Sequence, residues 1–235
     1  MLPLRLPDGT PDGAEVFGLR LDLDSPLSDT DWEVLSEDEG ARALCYRQYA
    51  DQVRFVRTRA ALRRLLAERL ECSAAGLRFV LNHYGKPGLL GACAADPVLH
   101  FNVSHAGDEA LIALSRRGPI GVDIERRHPL FDTAALESQV LSPLELHASL
   151  PERPEFLDRW SAKEAALKAL GVGVSQYLQQ LSVLLPPAGD HYRLQSEHRA
   201  WPRLAACRLP APDGYAAALA WTQPRINHEF IDTTI

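Results

Sequence analysis

The sequence predicts a globular protein with a mixed α/β or α+β fold. Its 235 residues are enough to bury a sizeable core. The composition, 46% hydrophobic and 24% charged, is typical of globular proteins. Stretches that alternate apolar and polar residues, as strands do, share the chain with stretches of helical spacing. No fixed-period repeat is visible, which argues against solenoid and propeller folds.

The first 90 residues predict strands around one long helix. Residues 15–23 alternate apolar and polar side chains and predict a strand. Ser28 is a typical helix N-cap. Residues 51–70 carry apolar side chains at helical spacing with six arginines between them, which predicts a long amphipathic helix with a basic polar side. Residues 77–81 predict a strand, and the Gly and Pro of residues 82–88 predict a loop.

Strands dominate the middle and the end of the chain. They are predicted at residues 98–103, 110–115, 120–125, 183–185, 193–195, 204–208 and 215–221. One helical region, residues 134–150, is interrupted near Pro143. Another, residues 155–170, ends at Gly171, a residue type common at helix C-termini. A domain boundary near residues 116–119 is only weakly marked.

Charge and cysteine usage narrow the function classes. The formal net charge of −6 argues against a general nucleic-acid binder. No apolar run approaches the ~20 residues of a membrane span, and the acidic N-terminal region does not resemble a signal peptide. We therefore expect a soluble, cytoplasmic protein that binds neither nucleic acid nor membrane. Cys45, Cys72, Cys93 and Cys207 lack the spacing of a zinc site and predict buried thiols.

Two acidic residues share one face of the strand predicted at residues 120–125. Because a strand has a period of two, Asp123 and Glu125 project to the same side with their Cα atoms about 6.6 Å apart. Such carboxylates can converge on Mg²⁺ or Mn²⁺, ions that also take oxygens from substrate phosphates. The alternative is a half-exposed strand whose polar face happens to be acidic, although Asp is disfavoured in strands.

A second group lies on the helix predicted at residues 155–170. Helical spacing places Trp160, Glu164 and Lys168 on successive turns of one face, so a carboxylate and an ammonium are aligned. The alternative is an ordinary i,i+4 Glu–Lys pair on a solvent-facing helix, worth only ~0.3–0.5 kcal/mol.

In this order, the two segments resemble the two-part signature of 4'-phosphopantetheinyl transferases. Residues 120–123 match its apolar-Gly-apolar-Asp strand. Residues 160–168 match its Trp-Ser/Ala-x-Lys-Glu-Ala/Ser-x-x-Lys helix. Residues 84–87 (Tyr-Gly-Lys-Pro) are similar to the family's Gly-Lys-Pro loop, and residues 101–105 (Phe-Asn-Val-Ser-His) to its Phe-Asn-x-Ser-His segment. In length the chain resembles the larger, surfactin-type class.

The resemblance implies two similar α/β halves related by pseudo-twofold symmetry, residues 1–116 and 117–235, with the active site between them. It implies a monomeric transferase that moves the 4'-phosphopantetheine group of coenzyme A to a serine of an apo acyl or peptidyl carrier protein. Such carriers serve fatty-acid, polyketide or nonribosomal-peptide synthesis. Residues 128–150 are expected to help form the carrier-docking surface. A coenzyme A binding module without transferase activity and a Mg²⁺-dependent phosphohydrolase stay open as alternatives.

The resemblance also implies roles for the acidic groups. Asp123, Glu125 and Glu164 would bind Mg²⁺ or Mn²⁺ together with the coenzyme A diphosphate. Glu164 would be the general base for the carrier serine, either directly or through a metal-bound water. Lys168 would contact the diphosphate and stabilise or protonate the leaving 3',5'-ADP. Trp160 would belong to the core or to a wall of the site.

The remaining coenzyme A contacts are expected in the N-terminal half. Lys86 would reach the nucleotide, and Ser104 and His105 would lie against the 3'-phosphate or the diphosphate. Arg59 and Arg63, one helical turn apart, would face the 3'-phosphate, which suits a planar guanidinium. For these two arginines the alternative is a solvated basic face.

Overall fold

A computed structural model describes residues 1–90, 98–127, 133–147, 155–184 and 189–223. The strands in these ranges are β1 (Leu2–Pro3), β2 (Glu15–Arg20), β3 (Phe79–Leu81), β4 (Pro87–Leu89), β5 (His100–Ala106), β6 (Glu109–Ser115), β7 (Ile120–Arg126), β8 (Leu181–Leu184), β9 (His191–Ser196), β10 (Leu204–Arg208) and β11 (Tyr215–Thr222). The helices are α1 (Asp29–Glu33), α2 (Glu37–Leu44), α3 (Tyr49–Leu70), α4 (Thr133–Val140), α5 (Pro143–His147), α6 (Phe156–Leu170) and α7 (Val174–Tyr177).

The strands form two main antiparallel sheets and a hairpin. The N-terminal sheet has the order β1-β2-β6-β5, and the C-terminal sheet has the order β7-β11-β10-β9-β8. Strands β3 and β4 pair separately as a two-stranded hairpin. The mixed α/β fold class is confirmed. The two halves and their pseudo-twofold relation stay a prediction.

Helix α3 covers the N-terminal sheet. Its buried Leu62, Leu65 and Leu66 pack against Phe17 and Ile112 of that sheet. The helix begins two residues before its predicted start. Its basic polar side does not include Arg63, so the alternative of a solvated basic face is wrong for this residue. The Arg63 side chain is 1% exposed and is held by an ion pair and by backbone carbonyls.

Helix α6 covers the C-terminal sheet and approaches it very closely. The contact is made by small side chains, namely Ala162, Ala165, Ala166 and Ala169 of α6 with Ala218 and Ala220 of β11. At Gly121 of β7 a Cβ atom would lie 2.0 Å from the carbonyl oxygen of Ala165 and 2.4 Å from the backbone nitrogen of Ala169. Only glycine fits there, since the obstacles are backbone atoms that no side-chain rotation can move.

A third apolar cluster joins the two sheets. Val16 and Leu111 of the N-terminal sheet pack with Val122 and Leu219 of the C-terminal sheet. Beside this cluster, the backbone N–H of Val122 donates to the side-chain oxygen of Asn102, at 2.8 Å. The two sheets therefore share a core, and β5 and β7 are fixed next to each other.

The helix predicted at residues 134–150 is present as α4 and α5, with the break at Pro143 as expected; residues 148–150 lie outside the described ranges. The C-terminal end of α6 at Gly171 is also confirmed, in the left-handed conformation. Ser28 caps α1 as predicted. In the described ranges, no helix has the length and apolar character needed to cross a membrane.

The cysteine prediction holds only in part. Cys207 is buried, Cys72 is half-buried and Cys45 is exposed. The prediction is wrong for Cys45 because this residue ends the short helix α2, which sequence periodicity did not reveal, and so lies at the surface. Cys93 lies outside the described residues.

Candidate active site

Three carboxylates from two distant segments meet at one place. Strand β7 supplies Asp123 and Glu125, and helix α6 supplies Glu164. One carboxylate oxygen from each residue lies within 4.8 Å of the others. The Asp123 side chain is 1% exposed, whereas Glu125 and Glu164 are half-buried. The approach of α6 at Gly121 makes this meeting possible, since it brings the helix against the strand two residues before Asp123.

Lys168, one turn after Glu164, provides a positive charge inside this cluster. Its Nζ lies 2.5 Å from Oδ1 of Asp123 and 3.4 Å from Oε2 of Glu164. It also donates to the hydroxyl of Ser104, at 3.1 Å, and that hydroxyl donates to Oδ1 of Asp123, at 2.8 Å. Ser104 therefore lies beside the acidic cluster, and the i,i+4 pair is half-buried and belongs to a larger network.

The cluster holds more negative than positive charge. Burial raises the pKa of Asp123 to about 6, with the charge of Glu164 acting in the same direction and Lys168 opposing it. Burial raises the pKa of Glu125 to about 8, and the charges of Asp123 and Glu164 add to this effect. Burial disfavours the charged form of Lys168, but the carboxylates outweigh it and raise its pKa. A further cation would stabilise the ionised cluster.

The donor atoms fit a divalent cation. Oδ2 of Asp123 is buried and has no hydrogen-bond partner among the residues that the structure describes. Buried carboxylate oxygens are rarely left unpaired, so this oxygen is available as a ligand. Asp123, Glu125 and Glu164 together offer hard oxygen ligands, the type that Mg²⁺ and Mn²⁺ prefer.

Trp160 has a direct contact with the cluster. Its indole Nε1 donates to Oε1 of Glu164, at 2.7 Å. One oxygen of Glu164 is thereby fixed by the indole, while the other faces Lys168. The sequence analysis placed Trp160 on the same helix face as Glu164 but assigned it to the core or to a wall of the site, without a hydrogen bond to the carboxylate. The i,i+4 spacing on the helix was the signal that pointed to this hydrogen bond.

A cavity of about 240 Å³ is lined by residues that precede the acidic cluster in the sequence. Its walls come from α2, α3, the β3–β4 hairpin and β5: Arg42, Tyr46, Phe55, Thr58, Arg59, Leu62, Leu81, Gly85, Pro87, Asn102, Val103 and His105. The hydroxyl of Thr58 is buried without a partner in the described ranges. Burial and the charges of Arg54 and Lys168 lower the pKa of His105. The cavity therefore offers cationic and neutral hydrogen-bonding groups to an anionic ligand.

Arg59 lines this cavity, as does Arg42, which the sequence analysis did not single out. Nε of Arg59 lies 3.5 Å from Oε1 of Glu39, and its guanidinium lies 5.1 Å from the ring centre of Phe79. Arg42 comes from helix α2, and its guanidinium lies 5.2 Å from the ring centre of Phe55. Helix α2 was not predicted, but the sequence Ser36-x-x-Glu39 is a capping box that marks its start.

Arg63 faces the protein interior. Its Nε donates to Oε2 of Glu39, at 2.6 Å. Its Nη1 donates to the carbonyls of Ala74 and Leu77, at 2.7 and 3.1 Å. Arg63 thus holds the carboxylate that also pairs with Arg59. A contact between Arg63 and a phosphate stays a prediction.

Lys86 lies between the hairpin and α6. Its Nζ donates to the carbonyl of Lys168, at 2.6 Å, and to the carbonyl of Ile120, at 3.1 Å. Burial lowers the pKa of Lys86 to about 8. Its chain neighbours Gly85 and Pro87 line the cavity. The expected contact of Lys86 with a nucleotide stays a prediction.

Lys163, the other lysine of the helical motif, contacts different elements from Lys168. It is fully buried and pairs with Glu145 of α5, with Nζ 2.5 Å from Oε2. It also donates to the carbonyls of Val140 and Leu178, at 2.6 and 3.0 Å. Its role is structural, because it ties α6 to α5 and to the segment before β8.

Comparison with known proteins identifies related chains. The model of the 4'-phosphopantetheinyl transferase superfamily matches residues 119–220, the segment that contains Asp123, Glu125, Glu164 and Lys168. A protein of Synechocystis sp., named provisionally as a 4'-phosphopantetheinyl transferase, is 36% identical over 87% of this chain and 86% of its own. The 4'-phosphopantetheinyl transferase HetI of Nostoc sp. is 34% identical over 91% of this chain and 92% of its own. The 4'-phosphopantetheinyl transferase Sfp of Bacillus subtilis is 27% identical over 75% of this chain and 79% of its own.

Proposed function

The chain belongs to the 4'-phosphopantetheinyl transferase superfamily, and from this premise we propose that it transfers the 4'-phosphopantetheine group of coenzyme A to a serine of apo acyl or peptidyl carrier proteins. The products are a holo carrier protein and 3',5'-ADP. The observation that carries the proposal is the convergence of Asp123, Glu125 and Glu164 within 4.8 Å, in the segment that the family model matches.

Asp123, Glu125 and Glu164 would hold the divalent cation. The unpaired buried oxygen of Asp123 supports this assignment, as does the excess of negative charge in the cluster. When bound, Mg²⁺ or Mn²⁺ neutralises charge on the coenzyme A diphosphate and makes its phosphorus more electrophilic.

Glu164 is the proposed general base. Its carboxylate takes the proton of the carrier serine while the serine oxygen bonds to the phosphorus next to the pantetheine arm. The bond from this phosphorus to the bridging oxygen breaks, and 3',5'-ADP leaves with the electron pair. Lys168 stabilises or protonates this leaving group. The hydrogen bond from Trp160 keeps the base in place during the transfer.

The cavity of about 240 Å³ is the proposed site of the coenzyme A nucleotide. Arg42 and Arg59 line this cavity and would meet the 3'-phosphate, while Arg63 holds Glu39 beside Arg59. His105 lines this cavity and would contact the diphosphate. Ser104, bonded to Asp123, would lie at the diphosphate end of the same path.

The two halves have complementary tasks in this proposal. Residues 1–116 supply the nucleotide cavity, and residues 117–235 supply the acidic cluster. The carrier would dock on the part of residues 128–150 that the structure describes, where Leu144 and Leu146 of α5 are exposed; residues 128–132 and 148–150 lie outside the described ranges. A monomeric state and a cytoplasmic location remain proposals drawn from the family.

Transfer is tested by incubating the protein with coenzyme A, Mg²⁺ and apo carriers of the fatty-acid and peptide types, followed by mass spectrometry of each carrier. We expect a mass gain of one phosphopantetheine that EDTA abolishes. Glu164→Gln should abolish transfer while coenzyme A binding persists, and Glu33→Gln, at an exposed position of α1, should behave as wild type. No mass gain on carriers of either type would refute the proposal. Breakdown of coenzyme A without a carrier would indicate a phosphohydrolase.

A further inference from the structure

The turn between β3 and β4 contacts the C-terminal end of α6. The side-chain amide of Asn82 donates to the carbonyl of Gly171, at 2.8 Å. Nζ of Lys86 donates to the carbonyl of Lys168, at 2.6 Å. Carbonyls in the last turn of a helix lack the usual helical partners, and positive charge is favourable there. Two residues from the N-terminal sequence thus cap the helix that carries Glu164.

Lys86 also reaches the strand that carries the other acids. Its Nζ donates to the carbonyl of Ile120, at 3.1 Å, and Ile120 is the first residue of β7. One ammonium therefore bridges β7 and α6 beside Gly121, the point of their closest approach. The separation of these two elements sets the distance between Asp123 and Glu164.

The other side of the same turn faces the nucleotide cavity. Leu81, Gly85 and Pro87 all line that cavity. The ring of Tyr84 lies against Gly173, just after α6, where a Cβ atom would be 3.1 Å from the ring. The turn therefore lies between the proposed coenzyme A site and the catalytic helix and contacts both.

We propose that Lys86 and Asn82 are positioning residues, through which the β3–β4 turn holds α6 against β7 and links filling of the nucleotide cavity to the placement of Glu164 and Lys168. This inference rests on the proposed transferase function. It gives the ammonium of Lys86 a role through backbone carbonyls, in place of a direct contact with a phosphate.

Lys86→Met tests the bridge because it keeps most of the side-chain length and removes the ammonium. Displacement of a catalytic group by about 1 Å can cost ~100-fold in rate. We therefore expect kcat for carrier modification to fall by ~10- to 100-fold, with the Kd of coenzyme A within about threefold of wild type. Calorimetric titration with coenzyme A gives the Kd, and carrier mass spectrometry gives kcat.

Asn82→Asp is a milder second variant. Oδ1 of Asn82 accepts from the backbone nitrogens of Tyr84 and Lys86, both at 2.9 Å, and an aspartate keeps this acceptor and so keeps the turn. It loses the donor to Gly171 and places a negative charge at a helix C-terminus, which is unfavourable. We expect a smaller fall in kcat with unchanged coenzyme A binding. His83→Gln, at an exposed position of the same turn, is the matched control and should match wild type.

Hydrogen exchange of the ligand-free proteins supplies a readout that does not depend on activity. In Lys86→Met and Asn82→Asp, the amides of the last two turns of α6 should exchange faster, while those of α3 should not change. Unchanged exchange in α6 would overturn the inference. The inference would also be overturned if Lys86→Met raised the Kd of coenzyme A tenfold or more but left the Kd of 3'-dephospho-coenzyme A unchanged. That result would show that Lys86 binds the 3'-phosphate directly. If wild type modifies no carrier, the transferase proposal fails, while faster exchange still supports the bridge.

Discussion

Gly121→Ala tests whether the close packing of α6 on β7 builds the acidic cluster. The added Cβ would lie 2.0 Å from the carbonyl oxygen of Ala165, whereas ordinary contacts begin near 3.4 Å. The helix would have to retreat by about 1.4 Å, since backbone atoms cannot rotate away. Overpacking usually costs ~1–3 kcal/mol, and we expect about 3 kcal/mol here because the obstacle is backbone. For a chain of this size that lowers Tm by ~6–12 °C.

Gly121→Ala should also lower kcat strongly, because a retreat of α6 moves Glu164 and Lys168 away from Asp123. A displacement of this size is expected to lower kcat by ~100-fold or more at temperatures where the variant remains folded. Circular dichroism gives Tm, and carrier mass spectrometry gives the rate. Gly40→Ala is the control: its Cβ would meet nothing within 4 Å in helix α2, so Tm should be unchanged or higher. A Gly121→Ala protein with wild-type Tm and rate would refute the packing argument.

Two other substitutions and two experiments on the Cys207 thiol have expected results. Trp160→Phe removes the hydrogen bond to Glu164 but keeps most of the ring packing. The loss of ~1–1.5 kcal/mol should lower kcat by about tenfold and leave the Kd of coenzyme A unchanged. An unchanged rate at every pH would contradict the role of Trp160 in holding Glu164. Lys163→Met removes the counter-charge of the buried Glu145 carboxylate, which keeps its hydrogen bonds from the backbone nitrogens of Ser142 and Val183. Chemical denaturation should show a loss of ~3–5 kcal/mol in the free energy of unfolding. Burial raises the pKa of the Cys207 thiol to about 12, so a thiol reagent at pH 8 should label exposed Cys45 and spare Cys207 in the folded protein. In the unfolded chain the Cys207 thiol has a pKa near 9. Its contribution to the free energy of unfolding should therefore be complete below pH 9 and be lost as the pH rises towards 12. Chemical denaturation at several pH values measures this dependence.

Apolar patterning predicted several elements closely. Helix α3 and strands β7, β10 and β11 were predicted to within about two residues, α3 from its helical spacing and β7 and β11 as short, mainly apolar stretches that are buried on both faces. Helices α2 and α7 were missed because they have only one or two turns, which is too short for a period to emerge. The start of α2 carried a capping signal instead, in Ser36 and Glu39.

The acidic cluster was predictable because each half of it obeys local geometry. A period of two aligned Asp123 with Glu125, and helical spacing aligned Glu164 with Lys168. That the two pairs face each other depends on long-range packing, which local spacing does not encode. The resemblance to the family motifs supplied that link, and the structure shows its physical basis in the small residues between β7 and α6.

The basic residues were harder to interpret, because the spacing of an arginine or lysine in the sequence does not show whether it binds a ligand or stabilises the fold. Arg63, predicted to face a phosphate, binds two carbonyls and Glu39, and Lys163 binds Glu145 inside the core. These partners lie outside the helix of the cation, 11 to 24 residues away in the sequence, so only the fold reveals them. Desolvating a cation is costly, and full burial therefore requires dedicated acceptors. Arg42 and Arg59 keep access to the cavity, and this difference in burial makes them the better candidates for binding an anion.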